Sequence, residues 1–276
     1  MITESLALSQ RAMTKWLRNP FSVMAALLQA IFWLVLFGNS FNPANALSSS
    51  GGGSLGALQQ AFGGAANYIT FLTPGVIGIV SLTTMSFMGV DVVFDRINGY
   101  LDTLSTYPIP RTSIYLGAMF QNIAKAMATA VVTFALALFV PNGLKLAGGF
   151  GVVDLLGVLA VFALLSAVFS GLFTGIAISV KSVDSFFGAV NFLTFPIMFT
   201  STALFPISFF PGWLKPIAQA NPVSLASNAA RLLIVSGPLS SSQTSAFAGD
   251  IAGLVVYGAI FAVMGVFMAK RALAPR

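Results

Sequence analysis

Charged side chains that could form ion pairs or take part in catalysis are concentrated in one short stretch of this chain. Of 13 basic and 7 acidic residues, five fall between positions 91 and 111: Asp91, Asp95, Arg96, Asp102 and Arg111. The chain contains no His and no Cys, which excludes an imidazole base, a thiolate nucleophile and the usual zinc centres. The other acids are isolated and form no catalytic cluster, so the sequence predicts a protein that is not an enzyme.

Composition indicates that these charges belong to a membrane protein. The 276 residues are 57% hydrophobic and 7% charged, with a mean hydropathy of +0.91, whereas soluble domains carry about 25% charged residues. A net charge of +6 is compatible with nucleic-acid binding. In so apolar a chain, however, basic residues usually mark the cytoplasmic ends of spans and contact anionic lipid. The sequence predicts an all-α integral membrane protein that contacts lipid and not nucleic acid.

Six apolar runs are long enough to be read as transmembrane helices, because a helix crosses a bilayer in about 20 apolar residues. They form a single transmembrane domain, 1–276, with spans at about 21–38, 68–90, 117–140, 152–180, 185–205 and 251–269. The third run is uncharged apart from Lys125, whose ammonium we expect to reach the membrane interface on its aliphatic stem. Ten of the 13 basic residues lie inside if the N-terminus does, which predicts that both termini are cytoplasmic.

Residues 1–20 predict an amphipathic helix that lies on the membrane surface. At 100° per residue, its apolar residues share one face and its basic residues lie nearly opposite: Ile2, Leu6, Met13 and Leu17 against Arg11, Lys15 and Arg18. The alternative is a polar tail of no special function.

The fourth span carries a stripe of small residues spaced four apart, namely Ala163, Ala167, Gly171 and Gly175. Such a stripe lets another helix approach closely. It predicts a helix-packing surface, either within one protomer or between two.

The charged stretch after the second span predicts a short cytoplasmic helix. Leu101 and Leu104 share a helical face, and Pro108 limits the continuation of the helix. Apolar residues on a cytoplasmic loop must be buried away from water, either in a groove on a partner protein or in the headgroup layer.

The stretch from Pro206 to about Gly237 has four prolines in its first 17 residues and is too apolar for a solvated loop. It predicts short re-entrant helices on the outer side before the last span, with a plain outer cap as the alternative.

Two of these segments resemble the membrane subunits of type-2 ABC exporters, particularly the daunorubicin-type drug-resistance permeases. The first motif reads Asp95-Arg96-x-x-Gly99-x-Leu101-x-x-Leu104-x-x-x-Pro108-x-x-Arg111. The second comprises Phe205-Pro206-Ile207-Ser208, Asn221-Pro222 and Arg231, and Phe71-Leu72-x-Pro74-Gly75 also fits the family. Where the family usually has a second acid and a Thr in the first motif, this chain has Ile97 and Tyr100.

The resemblance implies a multidrug-efflux type of exporter in the plasma membrane of a prokaryote, moving an amphipathic or lipid-like substrate out of the cytoplasm. Two permease subunits, identical or similar, would pair and dock on separately encoded ABC ATP-binding subunits. ATP would be bound by those partners and this chain would hold no cofactor. The first motif would form the coupling helix that contacts the ATPase, through Asp95, Arg96, Gly99, Leu101, Leu104, Pro108 and Arg111.

The chain contains no Gly-Lys-Ser/Thr triplet, which a P-loop requires. This agrees with ATP being bound by a separate subunit. The alternative is a secondary transporter or channel that works without ATP. That class needs ionisable residues deep in its spans or paired discontinuous helices, and the sequence shows neither clearly.

Overall fold

The computed structural model describes residues 28–38, 62–99, 111–140, 143–236 and 239–272, together with Thr14 and Met24. These residues form helices and connecting turns, with no strand among them. The seven α-helices of these ranges are α1 (Tyr68–Ile97), α2 (Arg111–Phe139), α3 (Val152–Ser179), α4 (Val183–Phe199), α5 (Lys215–Ala220), α6 (Pro222–Val235) and α7 (Ser241–Ala272). A π-helical segment, Phe32–Phe37, lies before them, and a 3₁₀ turn, Ile207–Phe209, follows α4.

Four of these helices, α1, α2, α3 and α7, are long and apolar enough to cross a membrane. The apolar helix Leu28–Phe37 and helix α4, which correspond to the first and fifth predicted spans, are shorter. The described residues therefore make an all-helical membrane protein, and the count of six spans stays a prediction. The surface helix predicted for 1–20 and the motif residues Leu101, Leu104 and Pro108 lie outside the described ranges.

Helix bounds differ from the predicted spans where polar residues continue a helix. Helix α1 runs seven residues past Val90 to Ile97, and α7 begins at Ser241, ten residues before Ile251. A charge-free run marks the apolar part of a helix, whereas the helix itself continues wherever its backbone stays hydrogen-bonded. Helix α4 instead ends at Phe199, short of the predicted 205.

Side-chain caps explain where several helices begin. The Asn67 side chain accepts a hydrogen bond from the Thr70 N–H at 2.8 Å, and Ser182 accepts one from the Ser185 N–H at 3.2 Å. Asp154, in the first turn of α3, accepts a bond from the Gly151 N–H at 2.8 Å. Each bond satisfies a backbone donor near the start of a helix, which has no partner within the helix.

Helix α3 occupies the centre of the described bundle and packs against α1, α2, α6 and α7. Helix α1 is buried along most of its length, whereas most of α7 is exposed. Helix α4 packs mainly on α1, where the Ser86 and Thr194 hydroxyls lie 2.9 Å apart and Gly89 leaves room for the Phe186 ring. We call the end of the bundle where α1 finishes and α2 begins the Arg96 end, and the opposite end, where α1 and α7 begin, the Arg231 end.

Candidate functional site

At the Arg96 end, α1 stops where a glycine lets the chain turn. Gly99 has a φ of +74°, a left-handed conformation that glycine adopts without steric cost and that commonly follows the last residues of a helix. Its N–H donates to the Arg96 carbonyl at 3.0 Å. Asp95 and Arg96 lie in the last turn of α1, and Arg111 is the first residue of α2. The described motif residues thus lie at one end of the bundle, on either side of the undescribed segment 100–110.

An apolar surface surrounds this end of α1. Phe94 is 49% exposed and Ile97 is 52% exposed. The Arg96 side chain is half-buried, and its Nη1 has no hydrogen-bond partner among the described residues. Exposed apolar side chains such as Phe94 and Ile97 are typical of a surface that another chain covers.

The prediction that Lys125 reaches the membrane interface is wrong. Its side chain is 2% exposed, and its Nζ lies 3.1 Å from Asp91 Oδ2 on α1, a carboxylate that is 51% exposed. Helical side chains point toward the helix N-terminus, which for Lys125 is the direction of the Arg96 end and of Asp91. A counter-charge on the adjacent helix stabilises the ammonium inside the protein, so the interface is not needed.

The small-residue stripe on α3 lies partly against α7. A Cβ on Gly175 would be 2.7 Å from Gly265 Cα, and a Cβ on Gly171 would be 3.3 Å from the Ala262 nitrogen. The Tyr115 hydroxyl fills the remaining space and donates to the Gly171 carbonyl at 2.9 Å. Ala163 and Ala167, further along the stripe, are half-buried.

This crossing gives a first testable prediction. Gly175→Val should destabilise the chain by about 1–3 kcal/mol, because the new side chain overpacks the contact with α7. Thermal unfolding in detergent measures the effect. Gly188→Val is the matched control, since no atom lies within 4 Å of a Cβ at Gly188 in α4. Equal stability losses in the two variants would contradict close packing at Gly175.

At the Arg231 end, one asparagine joins α4 to α6. The Asn221 side-chain amide donates to the Ile197 carbonyl at 2.7 Å and to the Thr200 hydroxyl at 3.0 Å. Its carbonyl oxygen accepts from the Val223 N–H at 2.9 Å, so the same residue caps α6. Pro222 is the first residue of α6, where the missing N–H costs nothing. These bonds give the Asn-Pro motif its structural role.

Arg231, on α6, connects this helix to α1 and to the turn that follows α4. Its guanidinium donates to the carbonyls of Phe71 at 3.0 Å, Thr202 at 2.7 Å and Ala203 at 3.1 Å, and stacks 3.8 Å from the centre of the Phe71 ring. Burial lowers the pKa of Arg231 to about 9, and the nearby Tyr68 opposes that change. The group therefore stays charged at neutral pH.

A glycine allows this arrangement to form. A Cβ on Gly75 would overlap the backbone of Ala203, so the Pro74-Gly75 pair in α1 leaves the space that the turn after α4 occupies. Close backbone approach is a general reason for glycine inside a helix.

Sequence reasoning missed three features of these two ends. It did not find the partner of Lys125, the role of Arg231, or Asp250, which lies in the part of α7 that precedes the predicted sixth span. The signal for the first was present, because a single lysine in an apolar span usually has a counter-charge on a neighbouring helix. Within the described ranges, no group of His, Cys, Asp and Glu could hold a metal ion.

The fold and the two ends define a class of protein, an α-helical membrane protein whose long apolar helices form one bundle. Residues 3–235 match the family described as ABC-2 type transporter. The chain belongs to this family, which confirms the resemblance predicted from the motifs.

Individual relatives carry names of the same kind. The chain is 30% identical over 230 residues to the transport permease ycf38 of Porphyra purpurea, covering 82% of this chain and 72% of that protein. It is 26% identical to the ycf38 protein of Cyanophora paradoxa, covering 99% and 89%. The doxorubicin resistance ABC transporter permease protein DrrC of Mycobacterium tuberculosis is 24% identical, covering 87% and 80%. The function of this chain is therefore transport across a membrane.

Proposed function

We propose that this chain is the membrane subunit of an ATP-driven ABC exporter whose ATPase is a separate subunit. The observation that carries the proposal is the Arg96 end. There the family's Asp-Arg-x-x-Gly motif ends α1, and Phe94 and Ile97 are half-exposed beside it. A cytosolic ATPase seated on this end would cover those side chains and the adjoining segment 100–110.

The Arg96 end is placed in the cytoplasm under this proposal, because most basic residues then lie inside. The chain would work as a homodimer or with a similar permease, in the plasma membrane of a prokaryote. Relatives named for doxorubicin and daunorubicin resistance favour an amphipathic substrate. The exposed Phe192, Phe195 and Phe199 of α4 suit contact with lipid or with the second permease, and we assign them no substrate.

The proposal is tested by expressing the full chain with an ABC ATPase subunit from the same genome. We expect the two to co-purify in a one-to-one ratio. In inside-out proteoliposomes, ATP should drive the accumulation of daunorubicin, with no accumulation when ATP is omitted.

The alternative, a transporter or channel that works without ATP, gains support from the ion pair between the buried Lys125 and the half-exposed Asp91. Ionisable groups of this kind carry ions in gradient-driven transporters. If the purified chain without an ATPase moves daunorubicin when a proton or sodium gradient is imposed, the exporter proposal is wrong.

A further inference from the structure

A cavity of about 500 Å³ opens at the Arg231 end, between the start of α1, the turn after α4, and helices α6 and α7. This volume lies in the range of pockets that hold small molecules. Its walls combine apolar surface from Phe71 and Leu232 with polar groups of two neighbouring helices, Asn228 and Arg231 on α6 and Asp250 on α7.

The Arg231 side of the cavity carries a positive charge with no counter-charge in contact. A guanidinium has five N–H donors; four bonds are formed, all to neutral oxygens of Phe71, Thr202, Ala203 and Asn228. No carboxylate of the described ranges lies within ion-pair distance of Arg231. One N–H of its Nη1 makes no hydrogen bond with the described residues.

Asn228 adds further donors on the same side. Its side-chain oxygen accepts from Arg231 Nη1 at 3.0 Å and from the Thr202 hydroxyl at 3.3 Å. With the oxygen engaged, the amide N–H groups are the part of this side chain left without a partner in the described structure. Free N–H groups around a cation suit an anionic group such as a phosphate.

The α7 side of the cavity has the opposite character. Asp250 lines it and makes no hydrogen bond or ion pair with the described residues. Its carboxylate is too far from Arg231 for a salt bridge, so the two charges lie apart in one cavity. A carboxylate offers only acceptors, which suit an ammonium group.

We propose that this cavity binds a zwitterionic aminophosphate of the phosphoethanolamine class, with its phosphate on Arg231 and Asn228 and its ammonium on Asp250. Such a ligand neutralises both charges at once. The half-buried Ile207 in the cavity wall and the exposed Phe209 of the same turn offer apolar surface to acyl chains. The same headgroup chemistry also occurs in free phosphoethanolamine. The proposal depends neither on an ATPase nor on the direction of transport.

The experiment measures lipid binding to the delipidated full chain in detergent by native mass spectrometry. Phosphatidylethanolamine should bind about tenfold more tightly than phosphatidylglycerol of the same chain length, because only the former provides the ammonium bond to Asp250. In Asp250→Asn this preference should disappear, while phosphatidylglycerol binding stays the same or increases. Asp154→Asn, an acid at the same end but outside the cavity wall, is the matched control and should keep the preference.

Equal binding of the two lipids to the unmodified chain would overturn the proposal, as would an unchanged preference in Asp250→Asn. Arg231 is kept unchanged in every variant, because it also donates to three backbone carbonyls. Competition with free phosphoethanolamine identifies the source of the ligand. Displacement of the lipid at similar concentration supports a soluble aminophosphate, and lack of displacement with lipid preference intact supports the membrane lipid.

Discussion

Replacing Asp91 with Asn is expected to destabilise the chain by about 1.5–3 kcal/mol, because the buried Lys125 ammonium then loses its charged hydrogen-bond partner. The reason is the unequal burial of the pair, since Lys125 is 2% exposed and Asp91 is 51% exposed. Without the Asp91 carboxylate, the Lys125 ammonium stays buried and has no counter-charge. Thermal or denaturant unfolding in detergent measures the change.

The reverse substitution should have a much smaller effect. Lys125→Met leaves Asp91 in contact with water and fills the lysine site with an apolar chain of similar length. The double variant Asp91→Asn/Lys125→Met should be close to Lys125→Met alone, because no charge is then buried. Asp184→Asn, an exposed acid at the same end of the bundle, is the control. A larger loss for Lys125→Met than for Asp91→Asn would contradict this account of the pair.

The double substitution Leu101→Asp/Leu104→Asp is expected to weaken association with the ATPase at least about a hundredfold, since burying each leucine contributes about 1.5–3 kcal/mol. This expectation rests on the family motif and on the proposed function. Association is measured by co-purification and by titration of the ATPase onto the chain in nanodiscs.

Membrane insertion of the double variant should be unchanged, because both residues lie outside the apolar runs that span the membrane. Val153→Asp is the control. It introduces the same charge at an 81% exposed position in the first turn of α3, at the opposite end of the bundle. If the leucine variant keeps its ATPase and Val153→Asp loses it, the coupling surface has been assigned to the wrong end.

The long helices could be predicted because their information is local. The apolar run at 152–180 located α3 to within one residue of its observed end at Ser179, and the small-residue spacing singled out Gly171 and Gly175, which lie against α7. The predicted helix ends were wrong where charged residues were taken to mark the end of a helix. Asp91, Asp95 and Arg96 were read as loop but continue α1, because charged residues bring a helix into water without ending it.

Pairings between distant segments could not be predicted from one sequence. Lys125 and Asp91 are 34 residues apart, and Arg231 is 160 residues from the Phe71 carbonyl that it binds. Neither relation follows from spacing along the chain. The cavity depends on several such pairings at once, because its wall combines the start of α1, the turn after α4, and helices α6 and α7.

The short length of α4 has a consequence for the surrounding lipid. Seventeen residues make a helix about 25 Å long, whereas the hydrocarbon core of a typical bilayer is about 30 Å thick. If α4 crosses the bilayer, the acyl chains beside it must shorten or the turn at Thr200 must sink below the headgroups. Helix α7, with 32 residues, imposes no such compression. The membrane is therefore expected to be thinner beside α4 than beside α7, and the protein to partition into bilayers built from shorter lipids.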